Sequence, residues 1–376
     1  MLDSNTAQVL TSLAEATSEG KGATQTNLGE TLHLFQEALE LFQRCLGVQE
    51  FQLIQQATVL EESSAEGDIE STGVVGGSKS ETSEDPEDER WATIVEPVTK
   101  DTLLDTALAQ LEMLTAVCAL RSSQELDDLA WVNEYYHNIL RDRIARYVDG
   151  TERHLEAALT NAKFTCALLD VSFRSGQLDV STYERELSVA FNQGIDLSND
   201  PHSLCDKADI EILFITSVQA SVQHKLLAHA QDISQLHTLR WKHLTMALDH
   251  LAAAAKLPQV QNLPRIHLRR GDCELLRYRL AEASYDMAVK GAATVIKNAE
   301  VYYQGSARLA RYEGAADEER EASVKEAIVV RIAGNAEPFL ELVSSQRGAI
   351  LEIVEEMRDE GLLSHETVAL ISSSIS

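Results

Sequence analysis

Apolar residues recur every three or four positions along most of the chain, which is the period of an amphipathic α-helix. In LHLFQEALELFQRCLGVQEFQLI this period forms one stripe, made of Leu34, Phe35, Ala38, Leu41, Phe42, Cys45 and Leu46. LLDTALAQLEMLTAVCAL carries a second stripe, made of Leu104, Leu108, Leu111, Leu114 and Cys118. No comparable stretch alternates with period two, so the sequence predicts an all-α fold.

Prolines and polar turns divide this helical pattern into pairs of helices. The chain has 6 prolines, and each lies where the helical period breaks: Pro86, Pro97, Pro201, Pro258, Pro264 and Pro338. Turns are predicted at Asp149–Thr151, Leu197–Ser203 and Leu257–Pro264. The paired helices should therefore begin near Leu103, Thr151, Ser203 and Leu263. A spacing of roughly 50 to 60 residues favours stacked repeats, that is, a solenoid of helix hairpins.

Two capping boxes are predicted at helix starts. Ser122 is followed three residues later by Glu125, and Ser181 by Glu184. In such a pair the serine oxygen and the carboxylate satisfy backbone N–H groups reciprocally. Each pair is therefore expected to open a helix.

One segment cannot join the helical core. Glu61–Arg90, the acidic strip, contains eleven acidic residues, and its only basic residues are Lys79 and Arg90. Large apolar side chains are nearly absent from it, so nothing offsets the entropy of ordering the segment. We predict N-terminal helices over residues 1–60, a disordered acidic insertion over 61–90, and a helical repeat domain over 91–376 that is continuous with the N-terminal helices.

The charge of the whole chain limits the classes of molecule that it can bind. Its 376 residues include 60 Asp and Glu against 32 Lys and Arg, a formal charge of −28. Such a chain repels nucleic acid backbones and anionic lipid surfaces, and it attracts basic proteins. The alternative is that the charge only keeps the protein soluble. We therefore expect a basic protein client, with no direct nucleic acid and no membrane.

Cysteine usage and the N-terminal sequence indicate the compartment. The chain has 5 widely spaced cysteines, and each lies within an apolar helical pattern: Cys45, Cys118, Cys166, Cys205 and Cys273. They are predicted to be reduced core residues. The start, MLDSNTAQVL, is acidic where a leader peptide would be basic, and we expect no apolar run to reach the length of a membrane span. These features predict a cytoplasmic or nuclear protein.

No motif in the chain indicates catalysis. We find no nucleophile with its base, no glycine loop for phosphate and no metal-ligand cluster, so we predict neither an enzyme nor a cofactor. Glu30 with His33 and Glu134 with His137 fit Glu-x-x-His, but matches of this kind are expected by chance among 11 histidines and many glutamates. An all-helical enzyme stays as the least favoured of three functions.

Three segments resemble the tetratricopeptide repeat. EALELFQRCL places Ala38, Phe42 and Cys45 at the small, aromatic, small spacing of the second repeat helix. MALDHLAAAAKLP looks like another such helix, which ends at its proline. RRGDCELLRYRLAEASYDMA puts Gly271, Ala283 and Met287 where the repeat has glycine, alanine and a large apolar residue. The resemblance implies a right-handed solenoid of antiparallel hairpins, longer than the family's standard repeat of about 34 residues.

Members of that family that escort histones or single ribosomal proteins combine such a scaffold with acidic segments, and this chain is similar in that respect. The resemblance therefore implies a dedicated chaperone for a basic client; the alternative is a scaffold subunit that joins proteins in a larger complex. Candidate partner-binding residues are acidic ones in the strip (Glu84, Asp85, Glu87, Asp88, Glu89), aromatic anchors (Trp131, Tyr135, Tyr136) and basic ones (Arg269, Arg270). The aromatic residues could instead pack between helices.

The two candidate arginines belong to the densest basic cluster of the chain, made of Arg265, Arg269, Arg270, Arg277 and Arg279. Its expected role is structural, through ion pairs with carboxylates of adjacent helices. The functional alternative is that the cluster binds an acidic peptide or the acidic strip itself.

Overall fold

The computed structural model is all-helical and describes residues 2–19, 25–65, 97–120, 129–192, 196, 199–223, 230–283 and 286–375. No strand occurs among these residues. The described chain forms two compact units, one that ends at Thr160 and one that begins at Asn161. The prediction of an all-α fold is confirmed.

Unit 1 contains α1 (Leu2–Glu19), α2 (Gln25–Ala65), α3 (Lys100–Leu120), α4 (Leu129–Tyr135) and α5 (Arg141–Val148). A π-helical turn, Tyr136–Leu140, joins α4 directly to α5. Glu50 of α2 holds α5 in place: Arg143 Nη2 donates to Glu50 Oε2 at 3.1 Å, and the Tyr147 hydroxyl donates to the other carboxylate oxygen. These bonds fix the rotation of α5 against α2.

Helix α3 is the central helix of unit 1. It contacts α2 and α5, and its buried side chains include Leu104, Leu111 and Cys118. By length and composition alone this helix could span a membrane, contrary to the expectation that no run is long and apolar enough. Most of its apolar window is buried within the protein, which is also typical of a core helix.

Unit 2 is a succession of helices in which each contacts the next. It contains α7 (Val180–Asn192), α8 (Pro201–Gln223), α9 (Ala230–Ala254), α10 (Leu263–Glu282), α11 (Asp286–Glu313), α12 (Ala316–Ile332), α13 (Glu337–Asp359) and α14 (His365–Ile375). The helix α6 (His154–Arg174) crosses from unit 1 into unit 2. Each connection from α10 to α14 is short.

The predicted helix starts agree closely with the structure. Helices begin at Lys100, His154, Pro201 and Leu263, each within three residues of its predicted position. The turns around Gly150 and Pro258 are present where the sequence placed them. Proline at a helix start is favourable because its missing N–H has no intrahelical acceptor there in any case.

One predicted cap is wrong. Asp179, not Ser181, caps α7: its carboxylate accepts from the Ser181 hydroxyl and from the Thr182 N–H, the latter at 2.9 Å, and these bonds lower the pKa of the carboxyl. Glu184 turns away from the helix start and pairs with Lys242 at 2.7 Å. The other predicted cap, Ser122 with Glu125, lies outside the described residues.

Helix α2 extends into the first residues of the acidic strip. Helix α2 continues to Ala65, so residues 61–65 are helical rather than part of a disordered insertion. Residues 66–90 lie outside the described residues. The boundary between the compact units falls within α6, and the division at the strip stays a prediction.

Four of the five cysteines are buried, as predicted, and Cys205 is half-buried. Burial raises the pKa of Cys166 to about 12 and that of Cys205 to about 11, and Asp209 and Asp206 contribute to the second shift. Thiolate is therefore scarce at neutral pH, and these cysteines behave as small apolar residues.

Candidate functional site

An exposed apolar face on α2 is the clearest candidate surface in unit 1. Val48, Phe51 and Ile54 are 55%, 61% and 65% exposed. We call these three residues the α2 face. Aromatic and branched aliphatic side chains this exposed, grouped on one helix, are typical of a surface that another molecule covers.

The helical register explains why these side chains face outward. Phe35, Ala38, Phe42 and Leu46 point into the core of unit 1. At about 100° per residue, the centre of the α2 face lies about 170° around the helix from that buried stripe. The apolar residues of α2 therefore form two stripes, and the unit buries only one of them.

The three aromatic candidates lie at the junction of α4 and the π turn. The Tyr135 hydroxyl donates to Gln110 Oε1 at 2.7 Å, and burial raises the pKa of Tyr135 to about 12. Trp131 and Tyr136 are half-buried, and the Tyr136 ring lies 5.1 Å from that of His137, edge to face. Tyr135 is thus bound into unit 1, which favours packing over partner contact for this residue.

The basic cluster is largely engaged within unit 2. Arg269 pairs with Asp209 at 3.2 Å, and Arg270 lies over the Tyr302 ring and donates to its hydroxyl at 2.8 Å. The other three arginines pair with carboxylates: Arg265 with Glu321, Arg277 with Glu274 and Arg279 with Glu282. This geometry favours the structural role over binding of an acidic peptide at Arg269 and Arg270.

A buried lysine organises the other side of α10. Lys325 of α12 is 2% exposed, and its Nζ lies 3.0 Å from Asp272 Oδ1 and 3.0 Å from Glu321 Oε1. Burial alone would lower the pKa of this amine, but Asp272, Glu360 and Glu321 outweigh that effect and raise it. Lys325 therefore stays charged inside the unit.

Acidic groups outnumber basic ones around this lysine. A cavity of about 310 Å³ is lined by five carboxylates against Lys325, Arg265 and Arg269; the carboxylates are Asp209, Asp272, Glu321, Asp359 and Glu360. Glu360 sits at the rim with 58% of its side chain exposed, yet partial burial of its carboxyl raises the pKa, and nearby Asp272 adds to the shift. The cavity can accept a further cation more readily than an anion.

The remaining candidates are the acidic residues of the strip and the Glu-x-x-His pairs. Glu84, Asp85, Glu87, Asp88 and Glu89 lie outside the described residues. Of the Glu-x-x-His pairs, His33 lies near Glu37, at 3.6 Å, rather than in a cluster. Within the described ranges, no group of three or more His, Cys, Asp or Glu residues is placed to hold a metal ion.

Sequence reasoning missed the α2 face and the Lys325 cavity. The sequence does contain a signal for the α2 face: Val48, Phe51 and Ile54 are apolar residues that do not belong to the predicted core stripe of the same helix. The sequence contains no signal for the Lys325 cavity, because Asp272 and Lys325 are 53 residues apart and meet only through helix packing.

Comparison with protein-family models, with curated proteins and with solved structures found no match to this chain. The function proposed below therefore depends on the residues and geometry of the chain itself.

Proposed function

We propose that the protein is a non-enzymatic escort of a basic protein client, and that the client docks on the α2 face. The observation that carries this proposal is that the exposed stripe of Val48, Phe51 and Ile54 is followed, on the same chain, by the acidic strip. An apolar anchor next to a dense negative charge suits one kind of ligand best. That ligand is an amphipathic helix of the client, with apolar residues on one side and Lys or Arg on the other.

The two parts of this surface contribute differently. Burial of the Phe51 and Ile54 side chains removes apolar area from water and slows dissociation. The strip attracts a positive client over a distance of about 8 Å at physiological salt, which speeds the encounter. The charge of −28 for the whole chain acts in the same direction.

The proposal also includes the arrangement of the helices in unit 2. We infer that the successive helices of unit 2 form a right-handed solenoid of antiparallel hairpins, like that of tetratricopeptide-repeat escorts. The short connections between α10 and α14 and the contacts between consecutive helices support this inference. In such proteins the client is a histone or a single ribosomal protein, and a cytoplasmic or nuclear site of action follows from that.

Purified core histones and purified ribosomal proteins are suitable probes for a direct test. Their affinities for the wild-type chain would be compared with those for Phe51→Ser/Ile54→Ser and for a matched control, Val289→Ser/Val301→Ser. The control removes exposed apolar side chains from α11 in unit 2. We expect one basic protein to bind the wild-type chain with 1:1 stoichiometry. Its affinity for the α2 variant should be lower by about tenfold or more, and its affinity for the control should equal that for the wild type.

Three outcomes would contradict the proposal. If the α2 variant bound the client as tightly as the control variant does, the α2 face would be excluded as the anchor. Binding of every basic probe alike would mean that only charge acts. If the chain bound none of these probes, and dimerised through the α2 face, the face would be an interface between two copies.

A further inference from the structure

Unit 2 contains a buried arginine without a counter-charge. Arg240 of α9 is 5% exposed, and its Nη2 donates to the neutral Gln219 Oε1 of α8. Its Nε is buried and has no acceptor, and no carboxylate in the described part of the chain forms an ion pair with it. Burial lowers the pKa of this guanidinium to about 10, and neighbouring Arg279 adds to the shift. The group nevertheless keeps its charge at neutral pH.

Arg240 faces a cavity of about 380 Å³ between α8, α9, α10 and α14. Arg279 also lines the cavity, and although it pairs with Glu282, its Nε too is buried without an acceptor. The two guanidinium groups thus line one space, and no carboxylate in the described part of the chain pairs with Arg240. Glu366 is the other carboxylate of the lining, and it lies exposed in the first turn of α14, where water screens it.

The rim of the cavity adds features that suit an anion. Ser364 lines it and caps α14, because its Oγ accepts from the Thr367 N–H at 3.0 Å. The positive end of the α14 dipole is therefore at the same cavity. Glu282 pairs with Arg279, whereas Arg240 forms no ion pair among the described residues, and the only other carboxylate of the lining is the exposed Glu366.

We propose that this cavity binds the phosphoryl group of a small phosphorylated molecule, held jointly by Arg240 and Arg279. A planar guanidinium offers paired N–H donors that match two oxygens of a phosphate, and a tetrahedral phosphoryl group can face two such groups at once. A carboxylate has only two oxygens and would leave more donors unmet. The cavity is larger than a phosphate ion, so it has room for the ester part of the ligand.

This site is independent of the proposed escort function. Its residues belong to unit 2, whereas the α2 face belongs to unit 1. The ligand that Arg240 requires is an anion, and the client that the α2 face suits is basic. A phosphate ester would therefore stabilise unit 2 without competing for that surface.

The decisive variant is Gln219→Glu. It would place a carboxylate, nearly isosteric with the native amide, where Gln219 Oε1 already accepts from Arg240. If Arg240 lacks an anion in the free protein, this change supplies one permanently. The matched control is Arg185→Gln, which removes an exposed, 65% accessible arginine of α7.

The experiment measures thermal unfolding and calorimetric binding with inorganic phosphate, glycerol phosphate and acetate, at constant ionic strength. We expect saturable stabilisation of the wild type by the phosphates and none by acetate. Gln219→Glu should unfold at a higher temperature without ligand and bind phosphate at least tenfold more weakly. Arg185→Gln should bind like the wild type. Tighter binding of glycerol phosphate than of inorganic phosphate assigns the site to an ester; equal binding assigns it to free phosphate.

The proposal is overturned if neither phosphate binds, if acetate acts equally well, or if Gln219→Glu binds phosphate as the wild type does. Arg279→Gln gives a second measurement that does not alter the buried Arg240. Undiminished phosphate binding by this variant would also overturn the proposal.

Discussion

The ring of Tyr303 occupies the space next to Gly271 that a side chain there would need. A β-carbon on Gly271 would lie 2.5 Å from Tyr303 Cε1, closer than real carbon atoms approach. The ring cannot easily move, because Tyr303 is fully buried and its hydroxyl donates to Asp272 Oδ1 at 2.8 Å. Helices α10 and α11 thus approach each other at a position where only glycine fits.

Gly271→Ala should destabilise the protein by about 2 kcal/mol, since overpacking outweighs the better helix propensity of alanine. Gly291→Ala on α11 is the control, because its nearest neighbour would be 3.8 Å away, an ordinary contact. The control should be neutral or stabilising by up to about 1 kcal/mol. Urea unfolding measures both, and equal stability of the two variants would show that the Tyr303 ring yields.

Lys325→Met should destabilise the protein by about 3 kcal/mol, because it leaves Asp272 buried without its cation. Adding Asp272→Asn should restore part of that loss, since the buried charge is then gone as well. Lys297→Met is the matched control: Lys297 pairs with Glu300, but it is 65% exposed, and an exposed pair contributes less than about 1 kcal/mol. A loss as small as that of the control would show that water reaches Asp272.

Stability should fall as the pH drops below about 6.5, and His267 should account for part of the fall. Burial, together with neighbouring Arg270, lowers the pKa of His267, and burial does the same for His250. The unfolded chain then binds more protons than the folded one in the window below pH 6.5, so stability is lost as pH falls through the folded pKa. The raised pKa of Glu360 acts in the opposite direction.

Urea unfolding at pH 5, 6 and 7 measures this dependence. His267→Gln should reduce the loss of stability between pH 7 and pH 5, and His250→Gln/His267→Gln should reduce it further. An unchanged slope in the double variant would mean that other groups control the acid response.

The acidic strip should act on the rate of association with the basic client. If residues 66–90 are replaced by a Gly/Ser linker, the association rate should drop and depend less on salt, because long-range attraction acts mainly on encounter. Stopped-flow mixing at several salt concentrations measures this. An unchanged rate would indicate a strip that only keeps the protein soluble. A rise in affinity would indicate that the strip competes for the same surface.

Local features of the fold were predictable, and contacts over long distances in sequence were not. Helix starts follow from prolines and the apolar period, both of which act over a few residues, as at Pro201 and Leu263. A local prediction can also fail when two neighbouring residues can cap the same helix: Asp179, not Ser181, caps α7. The Asp272–Lys325 pair and the Arg240 cavity depend on how separate helices pack, for which a single sequence contains no pattern.

The π-helical turn Tyr136–Leu140 determines the rotational phase of α5. A turn of this kind contains one more residue than an α-helical turn, and one residue corresponds to about 100° of rotation. Deletion of Asn138 would leave the phase of α5 unchanged, because the π turn holds the extra residue within one turn, whereas regular α-helical geometry with no residue removed would rotate α5 by that angle. Arg143 and Tyr147 would then move away from Glu50 together. In unit 1, the position of a whole helix against α2 thus depends on a turn that absorbs one extra residue.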